Sequence, residues 1–146
     1  MAKKYGKKSI NGFTLIEVVV VVCIIAILSS IGAYSFGKVQ ANTRDSQRSS
    51  KLTIISEALE KYYSQNGEYP SCAHMTADAY TISIQTLKDI DLDVLSTPSD
   101  PSGTNSFACS TPTTDKFGYI GGGSEYTLEY FSESDKNAVS VKSSHS

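Results

Sequence analysis

The chain has 146 residues and a formal net charge of −2, with two histidines and three cysteines. This length allows one small domain with an extension. The first 12 residues hold four lysines and no acidic residue, so the remainder of the chain carries a formal charge of −6. This negative charge disfavours nonspecific binding to nucleic acid. It does not decide whether the surface has a local basic patch.

The first predicted element is an apolar helix that begins directly after the lysine-rich leader. Residues 13–36 supply the roughly 20 apolar residues that a membrane span requires. Because positively charged flanks stay on the cytoplasmic side, we expect the rest of the chain to lie outside the cytoplasm. Glu17 is the one acidic side chain in this stretch. A charge in such a segment usually has a function and a partner.

The same helix is expected to continue beyond the membrane. Its second half becomes polar on most sides, and four apolar residues recur there at helical spacing: Leu52, Ile55, Leu59 and Tyr62. Asn66 and Gly67 form a C-terminal stop signal, and Pro70 follows closely. The pattern predicts one helix over residues 13–65. Its amphipathic second half needs an apolar surface to pack against.

The C-terminal part of the chain alternates apolar and polar residues. Three strands are predicted, over residues 117–120, 126–131 and 138–142, and their short connections favour an antiparallel meander. Three side chains of the middle strand are expected to face inward: Tyr126, Leu128 and Tyr130. Such a sheet must cover its apolar face, and the amphipathic half of the long helix is the available cover. The predicted fold class is α+β, a long N-terminal helix packed on a small antiparallel head.

Residues 70–117 lack a clear period. The pattern there predicts a short helix over residues 86–95, with three side chains facing inward: Leu87, Ile90 and Leu95. No Ser/His/Asp or Cys/His arrangement is present, so we predict neither an enzyme nor a cofactor. The glycines of residues 121–124 are expected to form a hairpin turn instead of a phosphate loop. Three acidic residues, Asp91, Asp93 and Asp100, do not fit a calcium loop and are expected to be solvated, so no metal site is predicted.

The residues Gly12-Phe13-Thr14-Leu15-Ile16-Glu17, followed by valines, resemble the class III signal peptide of type IV pilins and pseudopilins. Residues 58–70 (ALEKYYSQNGEYP) extend this resemblance. The resemblance implies cleavage between Gly12 and Phe13 by a prepilin peptidase and N-methylation of Phe13. It also implies that Glu17 pairs with the terminal amine of a neighbouring subunit during assembly. The expected division is a leader (1–12), a filament-core helix half (13–40), an amphipathic half (41–66) and a globular head (67–146).

The resemblance further implies a function. It predicts a structural subunit that polymerises with copies of itself into an extracellular type IV pilus, used for adhesion, twitching motility or DNA uptake. Before assembly it would be a single-pass protein of the cytoplasmic membrane with a cytoplasmic N-terminus. The implied partners are the peptidase, which is also the N-methyltransferase, an inner-membrane assembly platform with its ATPase, and a host surface or DNA. A pseudopilin of a type II secretion or competence system is the alternative. A third interpretation belongs to a different functional class: a binding module that stays anchored in the membrane as a monomer.

Two further features concern cysteines and glycines. An oxidising compartment favours a disulfide between Cys72 and Cys109, and two free thiols are the alternative. Cys23, inside the apolar helix, is expected to act as a small hydrophobic residue. Gly32 and Gly37 are expected either to allow close packing of helices or to mark a region that unwinds during assembly.

Overall fold

The structure is a computed structural model that describes residues 12–100, 102–103 and 106–143, without the side chains of residues 33–35. Of the leader predicted over residues 1–12, only Gly12 lies within the described residues. Contacts between Cα atoms divide the chain after Gly37 into a first unit and a second unit, Lys38–Ser146.

One helix, α1, runs from Leu15 to Asn66. Its end agrees with the predicted stop signal, because Gly67 has a positive φ of 77° and its N–H donates to the Tyr63 carbonyl at 2.8 Å. Glycine adopts this left-handed conformation without steric cost, which suits it to the position that follows a helix. The predicted apolar face is also confirmed. Its first three members are buried and its fourth is partly buried and packs against them: Leu52, Ile55, Leu59 and Tyr62.

The sheet of the second unit has four strands in the order β1-β2-β3-β4. Their bounds are Phe107–Ala108 (β1), Phe117–Gly122 (β2), Glu125–Ser132 (β3) and Asn137–Lys142 (β4). The pairs β2–β3 and β3–β4 are antiparallel, which confirms the predicted meander. The predicted wholly antiparallel sheet was wrong in one respect, because β1 adds to β2 in parallel. A two-residue strand is too short to show an alternating pattern in the sequence.

The described residues between the end of α1 at Asn66 and the start of β1 at Phe107 form what we call the irregular segment. The core of the second unit lies between the second half of α1, this irregular segment and the sheet. Tyr126 and Leu128 of β3 are buried in it, and Tyr130 packs against it with part of its surface exposed, as predicted. The buried apolar residues are Leu52, Ile55, Leu59, Tyr69, Met75, Ala79, Ile82, Leu87, Leu95, Phe107, Phe117, Tyr119, Tyr126 and Leu128. The apolar face of the amphipathic helix half therefore packs into this core, as its sequence pattern predicted.

The irregular segment differs from the prediction. It contains two short helices, α2 (Cys72–Met75) and α3 (Ala79–Thr81), and a π-helical turn at Ile82–Thr86. The helix predicted over residues 86–95 was wrong, since the chain forms turns there and Asp89 has a positive φ of 69°. A residue in that conformation interrupts an α-helix. The burial of Leu87 and Leu95 was nevertheless predicted correctly.

Gly121 is required by the ring of Tyr119. A Cβ atom built on Gly121 would overlap the phenol of Tyr119, which is fully buried and whose hydroxyl donates to the Pro70 carbonyl at 2.7 Å. Because the ring has no room to move, we expect Gly121→Ala to lower the free energy of unfolding by about 1–3 kcal/mol. Chemical denaturation followed by tyrosine circular dichroism measures this loss. In a chain that already carries Tyr119→Leu, Gly121→Ala should cost much less stability, because the ring that it would overlap is gone. An equal loss of stability in both backgrounds would contradict the overlap.

Candidate functional site

The residues predicted for processing lie at the start of α1. Gly12, Phe13 and Thr14 are outside the helix, which begins at Leu15. The side chain of Phe13 is 86% exposed, and no other atom lies within 4 Å of a Cβ built on Gly12. The peptide bond between Gly12 and Phe13 is therefore neither helical nor covered by the described part of the chain.

Glu17 closes the first turn of the helix on Thr14. Its Oε2 atom accepts a hydrogen bond from the backbone N–H of Thr14 at 3.0 Å and another from the Thr14 hydroxyl at 2.9 Å. In return, the N–H of Glu17 donates to Thr14 Oγ1 at 3.4 Å. This reciprocal arrangement is a capping box, in which Thr14 is the N-cap residue. Its sequence signal, threonine followed three residues later by glutamate, is present in the chain and was missed in the sequence analysis.

The apolar half of α1 is exposed within the part of the chain that the structure describes. Fifteen large apolar side chains of residues 13–39 are about half or more exposed: Phe13, Leu15, Ile16, Val18, Val19, Val20, Val21, Val22, Ile24, Ile25, Ile27, Leu28, Ile31, Phe36 and Val39. Cys23 is an exposed free thiol on the same stretch. The helix is long and apolar enough to cross a membrane, and none of its most apolar part is buried. Such a surface calls for lipid or for other apolar helices.

Gly32 and Gly37 lie within this helix, which is continuous through both. A Cβ atom built on either residue would have no neighbour within 4 Å. Packing among the described residues of one chain therefore does not explain these glycines. Close packing between copies and unwinding during assembly both remain predictions.

Cys72 and Cys109 form a disulfide, with their Cα atoms 5.7 Å apart. Cys72 is the first residue of α2, and Cys109 follows β1 directly. The bond ties the irregular segment to the short edge strand. Among the described residues, no group of three or more histidine, cysteine, aspartate or glutamate side chains is arranged to hold a metal ion.

A polar cluster, which we name the polar clamp, joins the second half of α1 to the β3–β4 turn. Three of its residues are buried (Asp45, Arg48 and Ser132) and three are partly exposed (Arg44, Glu133 and Ser134). Its centre is the carboxylate of Asp45. The N–H groups of Glu133 and Ser134 each donate to this carboxylate at 2.9 Å. The Ser132 hydroxyl and the Arg48 guanidinium each donate to it at 3.0 Å. The spacing of these residues along the chain gives no local pattern, so sequence analysis missed the clamp.

Arg48 extends the polar clamp to the loops around the sheet. It is 1% exposed, and its guanidinium donates to the Ser99 hydroxyl at 3.1 Å and to the Thr114 carbonyl at 3.0 Å. The carboxylate of Glu133 forms ion pairs with both Arg48 and Arg44. A charge removed from water is tolerated only when it is paired and hydrogen-bonded in this way.

Electrostatics in the polar clamp favour the ionised acids. Burial alone would raise the pKa of Asp45, but hydrogen bonds from the N–H groups of Glu133 and Ser134 and from the hydroxyls of Ser134 and Ser132 lower it to about 2. The hydrogen bond from Arg44 lowers the pKa of Glu133 below its ordinary value. Both carboxylates therefore hold their charge to a lower pH than free acidic side chains do.

Comparison with known proteins bears on the N-terminal site. Residues 7–33 match the family described as "Prokaryotic N-terminal methylation motif". The type IV major pilin protein PilA of Myxococcus xanthus (strain DK1622) is 36% identical to the chain over 64 residues. The chain is therefore similar to a type IV pilin over part of its length.

The likeness is confined to part of each protein. The matched region covers 44% of this pilin-like chain and 29% of the Myxococcus protein, so the chain spans less than a third of the length of that relative. No solved structure matches the chain significantly. The α+β fold of the pilin-like chain, a long N-terminal helix followed by a small sheet, therefore rests on the structure described above.

Proposed function

We propose that this chain is the structural subunit of a type IV pilus. It is made as a single-pass precursor in the cytoplasmic membrane, with a cytoplasmic N-terminus. A prepilin peptidase cuts between Gly12 and Phe13 and methylates the new amine. An assembly platform driven by its own ATPase then adds the subunit to an extracellular filament of identical copies, whose surface contacts a host surface or DNA.

One observation carries this proposal: the apolar half of α1 is exposed, while the second unit has a complete core of its own. Lipid surrounds that helix in the precursor, and the same helices of neighbouring copies replace the lipid in a filament. Head-to-tail contacts between identical copies that do not close into a ring produce such fibres.

The N-terminal residues supply the specificity that an apolar surface lacks. Cleavage leaves a positive charge on the amine of Phe13, at the positive end of the helix dipole. A neighbouring copy's Glu17 neutralises this amine in an apolar surrounding, where an unpaired charge is costly. The valine-rich surfaces provide most of the adhesion, and the ion pair sets the axial position of each new subunit.

The disulfide agrees with an extracytoplasmic head, because such bonds persist in oxidising compartments. The similarity to a major pilin favours a pilus over a pseudopilus. Both filaments use the same processing chemistry, so their abundance and length outside the cell distinguish them.

Mass spectrometry of material sheared from cells tests the proposal. We expect an N-terminal peptide that begins at methylated Phe13, in long fibres composed mainly of this chain. A matched control carries Gly12→Leu, which should block the cut without disturbing the fold, because a Cβ atom on Gly12 meets no described atom within 4 Å apart from those of the adjacent residues. Uncut chains confined to membranes would contradict the proposal and favour a monomeric anchored module. A mature chain found only as a minor component of short assemblies would favour the pseudopilin.

A further inference from the structure

The start of α1 lies two residues beyond the predicted cleavage site. Gly12 and Phe13 are non-helical, Thr14 is the N-cap, and the helix begins at Leu15. The capping box between Thr14 and Glu17 holds this boundary with three hydrogen bonds, between 2.9 and 3.4 Å long. The backbone of an N-cap residue is held outside the helical conformation. Thr14 thus stops the helix from extending toward the bond that is cut.

The position of this boundary matters to a peptidase. A peptide bound along a protein surface in an extended conformation offers its backbone N–H and C=O groups to that surface. A helix uses the same groups internally, and peptide bonds in exposed irregular segments are the ones that proteases prefer. A cut between Gly12 and Phe13 therefore needs these residues to remain outside the helix.

The sequence contains a competing start for the helix. Asn11 belongs to the residue types that cap helices best, and it directly precedes Gly12. A helix that began at this alternative cap would take Gly12 and Phe13 into its first turn. The bond between them would then be held in helical geometry, and the population available for cleavage would fall.

We propose that Thr14 is a positioning residue for processing, because its cap keeps the Gly12–Phe13 bond outside the helix. This inference rests on the proposed function, in which that bond is the one cut. In the cut, water adds across the amide and the C–N bond breaks, leaving a carboxylate on Gly12 and an amine on Phe13. The peptidase supplies the catalytic groups, and Thr14 acts only through the conformation of the substrate.

Initial rates of cleavage test this role. The full-length precursor in detergent is treated with a purified prepilin peptidase, and kcat/KM is measured by mass spectrometry of the released leader. Thr14→Val has nearly the shape of threonine but cannot cap, and we expect it to lower kcat/KM about three- to tenfold, as a lost N-cap shifts the helix start. Thr14→Ser and Thr14→Asn both cap and should stay within about twofold of the original chain.

The asparagine variant separates capping from direct recognition of the side chain, because asparagine differs in shape from threonine. If Thr14→Val is cut as fast as the original chain, or Thr14→Asn is as slow as Thr14→Val, the inference is overturned. Amide hydrogen exchange gives a second measurement. In a helix that starts at Asn11, the N–H groups of Leu15 and Ile16 would donate to the carbonyls of Asn11 and Gly12, so these two groups should gain protection in Thr14→Val. Unchanged exchange at both would overturn the inference. If the original precursor is not cut after Gly12, the proposed function fails and the inference fails with it. If the original precursor is cut after Gly12 and all the Thr14 variants are cut at the same rate, only the inference about Thr14 is overturned and the proposed function stands.

Discussion

Replacing Glu17 by alanine is expected to reduce assembled filament at least about tenfold while leaving membrane insertion and the head intact. The reason is that the amine of Phe13 in a neighbouring copy would be buried without a partner. Removing one partner of an ion pair that is buried between copies leaves the other charge uncompensated, which strongly disfavours the assembled state. Sheared filament, quantified relative to the mature chain in membranes, measures the effect.

The capping box decides how this experiment must be controlled. Glu17→Ala removes both the charge and the hydrogen bonds to Thr14, whereas Glu17→Gln keeps an oxygen that can accept those bonds. If the charge sets the position of the subunit, Glu17→Gln should lose assembly nearly as completely as Glu17→Ala. Normal filaments from Glu17→Gln would show that Glu17 serves the helix start instead, and the proposed pairing between copies would have to be abandoned.

Replacing Asp45 by alanine is expected to lower the free energy of unfolding of the head by about 3–5 kcal/mol. The substitution takes one acceptor from the Arg48 guanidinium and one from the Ser132 hydroxyl, and it leaves the half-buried backbone N–H groups of Glu133 and Ser134 without the carboxylate to which they donate. Denaturation of the full-length protein in detergent, followed by tyrosine circular dichroism, measures the loss. Asp135→Ala is the matched control, because Asp135 is exposed on the same turn and its carboxylate makes one long contact, with the Ser132 hydroxyl at 3.4 Å. A loss no larger in Asp45→Ala than in this control would contradict the role of the polar clamp.

Acid should act on the head through the same residue. Because the pKa of Asp45 is about 2 in the folded chain and about 3.9 in an unfolded one, its ionised form stabilises the fold above about pH 4. This stabilisation, about 2 kcal/mol, is lost as the pH falls from about 4 to about 2. Compared with the original chain, Asp45→Ala should lose less unfolding free energy between about pH 4 and about pH 2, and Asp135→Ala should lose the same amount. Equal acid sensitivity of all three chains would show that other carboxylates control acid unfolding.

Several elements could be predicted because their signals are local. The long helix, its end at Asn66 and Gly67, and its buried face at Leu52, Ile55 and Leu59 follow from spacing and from glycine's freedom at positive φ. The meander follows from alternation along β2, β3 and β4. The capping box at Thr14 and Glu17 was equally local, and its pattern was present although it was missed.

By itself, the sequence determined the apolar helix with its single acid, the helix end and the fold class, since each depends on neighbouring residues or on a short period. The tertiary structure alone decided the polar clamp, the parallel strand β1 and the turns that replace the helix predicted over residues 86–95. Asp45 and Glu133 lie 88 residues apart, and their contact depends on how α1 packs on the sheet. Likewise, β1 is a strand because it pairs with β2, which lies about ten residues further along the chain, and such pairing outweighs the weak local preferences of a short segment.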